Sequence, residues 1–585
     1  MSVTPIPSRW GALRRAAGLV RPHRGRVVLS VLLGAGAVLA AVALLAVAGV
    51  LISKAALRPE ILTLTVFTVS VRALAISRAL LRYLERLVSH DLAFRVLADL
   101  RVRFFRRLAP LVPEGLAGLR GGDVLSRFVA DVDALQDLYL RAIGPPLVAA
   151  VVIGVVGVAL LAVLPAAAPI VVGALLAAGV LVPAIAGRAT AASGRRQAPA
   201  RAELSAELVE LVQGAPELAV YGREDDWAGR AHAADARLIG AQRRDAIVGG
   251  VTAGLGMLIA GTALVGVTAV GVNATAQGAL EGFLLAGAVF VAIGAFEAVT
   301  PLPDAAQRLN VCAGAAQRLE EITERPVPVA DPPSPRPVPG RGALVADGLT
   351  VRFPGRDAPA LQDVGLRLKA GARIAVVGAS GAGKTTLARA LVRFLDPDAG
   401  AVRVGGLDVR EAAQAQVRHT VRLAGQDAHL FTTTIRQNVA LARPEATDDD
   451  IADALRRVGL GDWLASLPDG LGTQVGEGGD EVSGGQRRRI ALARALVSDA
   501  RFLVLDEPTA HLDEAGAAAL LRSLGGDRRD GRGMLVVSHT LAGLERWDEV
   551  IVLAGGRVVE RGSPADLQAA GGPFAALRAG TTQSG

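Results

Sequence analysis

Apolar residues form long runs before about residue 300 of this chain and only short, strand-length runs after about residue 340. That separation leaves few folds open. Inside hydrocarbon every backbone polar group must be bonded within its own segment or a closed barrel, so long apolar runs cross as helices. Six stretches reach the roughly 20 residues that a spanning helix needs, at 27–53, 61–81, 144–164, 168–188, 247–271 and 279–300. The expected fold class is an all-α transmembrane domain of six helices followed by an α/β soluble domain. The hydrophobic fraction of 51% and mean hydropathy of +0.41 are too high for a soluble enzyme.

Charge sets the orientation. Arg9, Arg14, Arg15, Arg21, Arg24 and Arg26 precede the first span with no acid among them, which places the N-terminus in the cytoplasm. Trp10, Leu13, Leu19 and Val20 interleave those arginines, the pattern of an interfacial elbow helix within 1–26. The first span is too long for a signal-peptide core. Loops after spans two and four are long and Arg-rich, so both termini are expected inside a plasma membrane. A net charge of +8 raises nucleic acid as a partner, but much of it flanks apolar spans, and 3% aromatic residues leave little for base stacking. The lipid bilayer is the expected partner, and nucleic acid is not.

The lone Cys312 excludes an intrachain disulfide and is expected to be packed. Pro326, Pro328, Pro332, Pro333, Pro335, Pro337 and Pro339 mark an extended, semi-rigid spacer. The expected division is an elbow at 1–26, a transmembrane domain at 27–322, a linker at 323–342, a soluble domain at 343–578 and a tail at 579–585.

The segment GASGAGKT, Gly378 to Thr385, follows the apolar run Arg373–Val377 and opens a helical stretch. Gly378, Gly381 and Gly383, with Ser380 between them, let backbone N–H groups wrap phosphates, and the helix N-terminus adds positive potential. Lys384 reaches the β- and γ-phosphates, and the Thr385 hydroxyl, followed by Thr386, suits Mg²⁺. The chain otherwise uses Arg for positive charge; its only lysines are Lys54, Lys369 and Lys384. A compact ammonium kept here is needed where a planar fork would not do. ATP and Mg²⁺ are therefore the expected substrate and cofactor.

Further motifs follow in order: Phe353 in LTVRFPG, Gln426 in LAGQDAHLF, VSGGQ from Val482 to Gln486, FLVLDE ending in Asp506 and Glu507, Asp513 in AHLD, and His539 in SHT. Taken singly, a strand-end Asp-Glu is usually a solvated turn and a His a surface residue. In this order they resemble the ATP-binding domain of ABC transporters, with Phe353, Val482 and AHLD in place of the commoner Tyr, Leu and SALD. The resemblance implies that Ser483, Gly484, Gly485 and Gln486 close over the phosphate loop of a second half-transporter. It further implies adenine stacking by Phe353, Mg²⁺ held by Thr385, Gln426 and Asp506, and water polarised by Glu507. Gln426 and His539 would sense the γ-phosphate, and Asp513 would communicate across the dimer.

Span two carries Arg72 and Arg78, each costing about 2.5–3.5 kcal/mol near the bilayer centre. Arg78, Arg82, Arg86 and His90 recur every four residues as a slowly drifting polar stripe, with Tyr83, Glu85 and Asp91 close by. This is either a solvated helix extension or an anion-binding wall. RYLERLVSHD at 82–91 and GDVLSRFVADVDALQDLYLRAIGPP at 122–146 resemble CydC-type subunits of CydDC heterodimers. That resemblance implies a CydD-like partner, a small-molecule cargo such as glutathione or cysteine, haem handling through His90 and Arg86, and support of cytochrome bd assembly. It also implies coupling elements at 119–135 and 213–224. The alternatives are a lipid or multidrug exporter, and a membrane ATPase acting as an assembly factor or sensor without transport.

Overall fold

A computed structural model describes residues 9–18, 23–116, 125, 127–353, 358–426, 428–510, 512–528 and 530–582. Residues 1–8 and 19–22 of the elbow, 117–124 and 126 around the first coupling stretch, and the end of the tail lie outside the described residues. The chain divides into two compact units, Met1–Ala109 with Gly118–Arg325, and Pro110–Ala117 with Pro326–Gly585.

Six helices among the described residues are long and apolar enough to span. They are span one (Arg24–Ala56), span two (Ile61–Leu111), span three (Phe128–Val163), span four (Ala168–Ala189), span five (Glu224–Ala276) and span six (Gly282–Thr323). Most outrun the bilayer. At 1.5 Å per residue span five is about 80 Å long, against roughly 30 Å of hydrocarbon. Hydropathy marks only the apolar window, while the helix continues wherever no breaker stops it. Spans one and six meet through small residues. A Cβ on Gly49 would sit 2.6 Å from Phe290 Cδ2, and one on Gly287 would sit 2.8 Å from Val50 Cγ2. Without a hydrophobic force between helices in lipid, such close backbone approach supplies the attraction. Hydroxyls in span two are satisfied locally: Thr65, Thr68 and Ser70 donate to the carbonyls four residues earlier. At its N-terminal side, the elbow helix Arg9–Gly18 is tied to span six, where Arg15 forks onto Glu320 at 2.7 and 2.6 Å. Cys312 is buried and donates to the Ala134 carbonyl at 3.2 Å.

The second unit holds two sheets. One is antiparallel with order β2-β1-β4-β5, from β1 (Leu344–Val351), β2 (Leu361–Leu368), β4 (Ala399–Val404) and β5 (Leu407–Asp408). The other runs β10-β9-β3-β8-β7-β6, from β3 (Arg373–Val377), β6 (Val421–Ala424), β7 (Phe502–Asp506), β8 (Gly533–Ser538), β9 (Glu549–Ala554) and β10 (Arg557–Gly562). All its neighbours pair in parallel except β10, an antiparallel edge. Strands β3, β7 and β8 are buried along their whole lengths, which explains their unbroken apolar sequences.

The proline-rich stretch, expected as an extended, semi-rigid spacer, is bonded along its length. Its carbonyls are anchored to the second unit: Arg393 donates to Ala330 O at 2.9 Å, and Arg501 to Pro339 O at 2.7 Å. Asp331 accepts from the Gln414 N–H, and Arg336 pairs with Glu411. Proline removes donors but leaves acceptors, and buried or half-buried arginines elsewhere in the chain use them.

Candidate functional site

The phosphate loop joins β3 to helix α1 (Lys384–Leu391), at the carboxyl ends of the parallel strands where ligands bind in such sheets. Gly383 has φ of 100°, and a Cβ there would run into the Ala360 carbonyl. Only glycine meets both demands. Lys384 is 6% exposed, and its ammonium donates to Gly378 O at 2.7 Å and Ala379 O at 3.0 Å. Burial pushes its pKa down, against the pull of Glu507 and Asp506. A cleft of about 510 Å³ is lined by Ser380, Gly381, Gly383, Lys384, Thr385 and Thr386, together with Gln426 and Glu507.

Asp506 ends β7, 4% exposed, with the Thr385 hydroxyl donating to it at 3.4 Å. It has no ion pair among the described residues, and burial raises its pKa. A buried carboxylate beside a hydroxyl, short of a cation, fits Mg²⁺. Glu507 follows with φ of +50°, a strained conformation for a non-glycine residue, and its N–H donates to Val537 O at 2.8 Å. Glu507 lines the cleft, and His539 Nδ1 lies 3.8 Å from Glu507 Oε1. Sequence reasoning missed Arg488. Its guanidinium donates to Gln426 O at 2.6 Å and to Glu507 O at 3.4 Å. Its position in the run Arg487–Arg489 that follows VSGGQ was the available signal, but three successive arginines offered no way to choose among them.

The signature residues, Phe353 and Asp513 stand apart from the cleft lining, which also lacks Gly378, Asp506 and His539. Ser483 caps helix α2 (Gly484–Val497), accepting from the Gln486 N–H at 3.2 Å, while Gln486 Oε1 accepts from the Ser483 N–H at 2.8 Å. That capping box leaves the motif on a helix N-terminus, with Gly484 open and Gly485 half-buried. Phe353 packs half-buried against the sandwich core. Asp513 sits exposed at the start of helix α3 (Glu514–Gly526) without a side-chain cap.

In the first unit the Arg–His stripe splits. Arg78 donates to Glu297 of span six at 3.0 Å, and Arg82 reaches the same carboxylate at 3.1 Å. Arg86 and His90 are exposed and have no ion pair among the described residues. Each four-residue step turns the helix about 40° past a full circle, so three steps drift about 120°. Arg82 lines a cavity of about 480 Å³ together with Glu85 and Glu297; Arg86 and His90 do not.

The family model described as the ABC transporter transmembrane region matches residues 26–293, and the one described as ABC transporter matches 361–510. The glutathione/L-cysteine transport system ATP-binding/permease protein CydC of Escherichia coli is 34% identical over 574 residues, covering 97% of this chain and 100% of that protein. The CydD protein of the same-named system in Bacillus subtilis is 31% identical, covering 93% and 94%. A solved bacterial Atm1-family ABC exporter with ATP bound superposes with a TM-score of 0.79 at 25% identity, covering 96% and 98%.

Proposed function

This chain belongs to the ABC transporters of exporter type, with transmembrane and ATP-binding regions fused in one polypeptide, and from that premise we propose that it is one half of a two-chain exporter of small thiols. It is a multi-pass membrane protein whose ATPase is coupled to transport. The proposed cargo is glutathione or L-cysteine, the membrane is a bacterial plasma membrane, and both termini lie in the cytoplasm. Similarity to CydC along nearly the whole length supports the cargo.

One observation carries the two-chain reading. The cleft gathers a phosphate loop, Gln426 and Glu507, but its lining contains none of Ser483, Gly484, Gly485 and Gln486. A helix N-terminus with the open Gly484 suits a partner's ATP phosphates. In the proposed division of labour, Lys384 and the loop N–H groups hold the β- and γ-phosphates. Thr385, Gln426 and Asp506 would hold Mg²⁺, which neutralises phosphate charge when bound. Glu507 orients the attacking water, His539 lies beside it, and Phe353 and Asp513 act at the adenine and across the dimer. Phosphoryl transfer needs this positioning more than covalent chemistry.

A second reading concerns haem. Tyr83, Arg86, Leu87, His90 and Phe94 recur at helical spacing on span two and are all exposed. An imidazole and a guanidinium flanked by apolar side chains fit haem iron and a propionate on an outer face of the helix. Haem there would supply a redox-active iron.

Co-expression with a CydD-like half-transporter tests both readings. Purified complex in proteoliposomes is expected to move labelled cysteine or glutathione only with ATP. Absence of thiol movement, with a visible haem band lost in His90→Ala, would replace the thiol reading with the haem one. Full transport by this chain alone would overturn the two-chain reading.

A further inference from the structure

The half-open cavity in the first unit is lined by spans one, two, three and six, and its chemistry is uneven. Ser30, Tyr139 and Thr300 contribute hydroxyls, and Arg82, Glu85 and Glu297 contribute charge. Two guanidiniums, Arg78 and Arg82, share the single Glu297 carboxylate. One positive charge is therefore left over at that end. Glu85, three residues beyond Arg82 on the same helix, has no ion pair among the described residues. Counting Arg78 behind it, the wall thus carries a surplus cation and an unmatched carboxylate about one helical turn apart, with no net charge. Charges held in a spanning bundle are costly and are kept where they pair with each other or with a ligand.

Among the described residues the lining includes no cysteine, histidine or methionine. Cys312 is buried elsewhere, with its thiol bonded to Ala134 O. The volume of about 480 Å³ falls within the roughly 300–1,000 Å³ of small-ligand pockets.

We propose that this cavity binds zwitterionic amino acids and short peptides by their charged ends, the carboxylate at Arg82 and the ammonium at Glu85, without recognising the thiol. The proposal rests on the amino-acid or peptide cargo reading above and deepens it. Selectivity would come from the charge pair and from size. The sulfur substituent would be carried along unread.

The test uses the full chain with its partner half-transporter in proteoliposomes, reading ATPase stimulation and transport. The probes are L-cysteine, S-methyl-L-cysteine, L-alanine, cysteamine and 3-mercaptopropionate. S-methyl-L-cysteine is expected to half-saturate within about threefold of L-cysteine. Cysteamine and 3-mercaptopropionate each lack one charged end and are expected to be weaker by roughly tenfold, or about 1.4 kcal/mol. Glu85→Gln is expected to erase the preference for L-cysteine over 3-mercaptopropionate, and Arg82→Gln the preference over cysteamine. These ratios are internal to each variant, so a lower yield of folded protein does not imitate them. Arg82→Lys, which keeps the charge, is expected to restore part of the second preference.

Three outcomes separate the claims. A requirement for free thiol, or ratios unmoved in both variants, overturns the cavity proposal and leaves thiol export standing. Stimulation by L-alanine and S-methyl-L-cysteine, without export of any thiol, overturns the cargo reading and leaves the cavity. Binding of none of the probes overturns both.

Discussion

The guanidinium of Arg488 donates to the backbone carbonyl of Gln426 at 2.6 Å, across 62 residues of sequence. The same side chain reaches the Glu507 carbonyl, so one rigid fork holds two segments that line the cleft. The first helix turn after VSGGQ is thereby tied mechanically to this chain's own cleft.

Arg488→Ala is therefore expected to lower kcat by roughly tenfold, the scale of a lost charged hydrogen bond, while ATP affinity changes little. Arg488→Lys should recover only part, since a point charge cannot hold two carbonyls in fixed directions. Phosphate release and fluorescent-nucleotide titration on the assembled transporter separate the two effects.

Glu507→Gln keeps shape and removes the carboxylate proposed to polarise water. ATP is expected to bind and to remain unhydrolysed, with turnover down on the order of a hundredfold or more. Turnover near wild type in the assembled complex would assign water activation to another group.

Packing between spans one and six gives a sharper contrast. Gly49→Leu would drive a side chain into Phe290, and overpacking costs about 1–3 kcal/mol. Gly154→Leu, with nothing within 4 Å of its Cβ position, is expected to be tolerated. Yield of detergent-stable protein and its thermal unfolding temperature measure the difference.

Asp450, the N3 partner of the Thr447 capping box, supplies a pH test. The Thr447 N–H donates to its carboxylate at 3.0 Å, and this bond, then the Thr447 hydroxyl and Arg443, holds its pKa below the ordinary carboxylate value. A depressed folded pKa means that the stabilisation is complete above the unfolded value of about 3.9 and is lost as pH falls through the lower folded one. Asp450→Asn should unfold at lower temperature than wild type at pH 7, and the gap should close below about pH 4. An equal gap at both pH values would assign the effect to shape, not charge.

Much of the ATP site was legible because its demands are local. A strand, a glycine turn with left-handed φ and a helix N-terminus follow one another within Arg373–Leu391, and those residue types are needed wherever backbone wraps phosphate. The six spans were legible for a similar reason, since hydrocarbon tests each segment for length and apolarity on its own. Helix ends were not, because a window of hydropathy stops at the bilayer while span five continues from Glu224 to Ala276.

What tertiary structure alone decided is pairing. Four-residue spacing put Arg78, Arg82, Arg86 and His90 on one drifting stripe; only the approach of span six brought Glu297 to the first two and left the last two outside. Proline content marked 326–339 as extended but was silent about Arg393 and Arg501 collecting its carbonyls. Periodicity and composition report which face of an element is apolar and which residues carry charge. Which charge meets which carbonyl or carboxylate depends on how elements far apart in sequence pack, and that is a property of the folded chain.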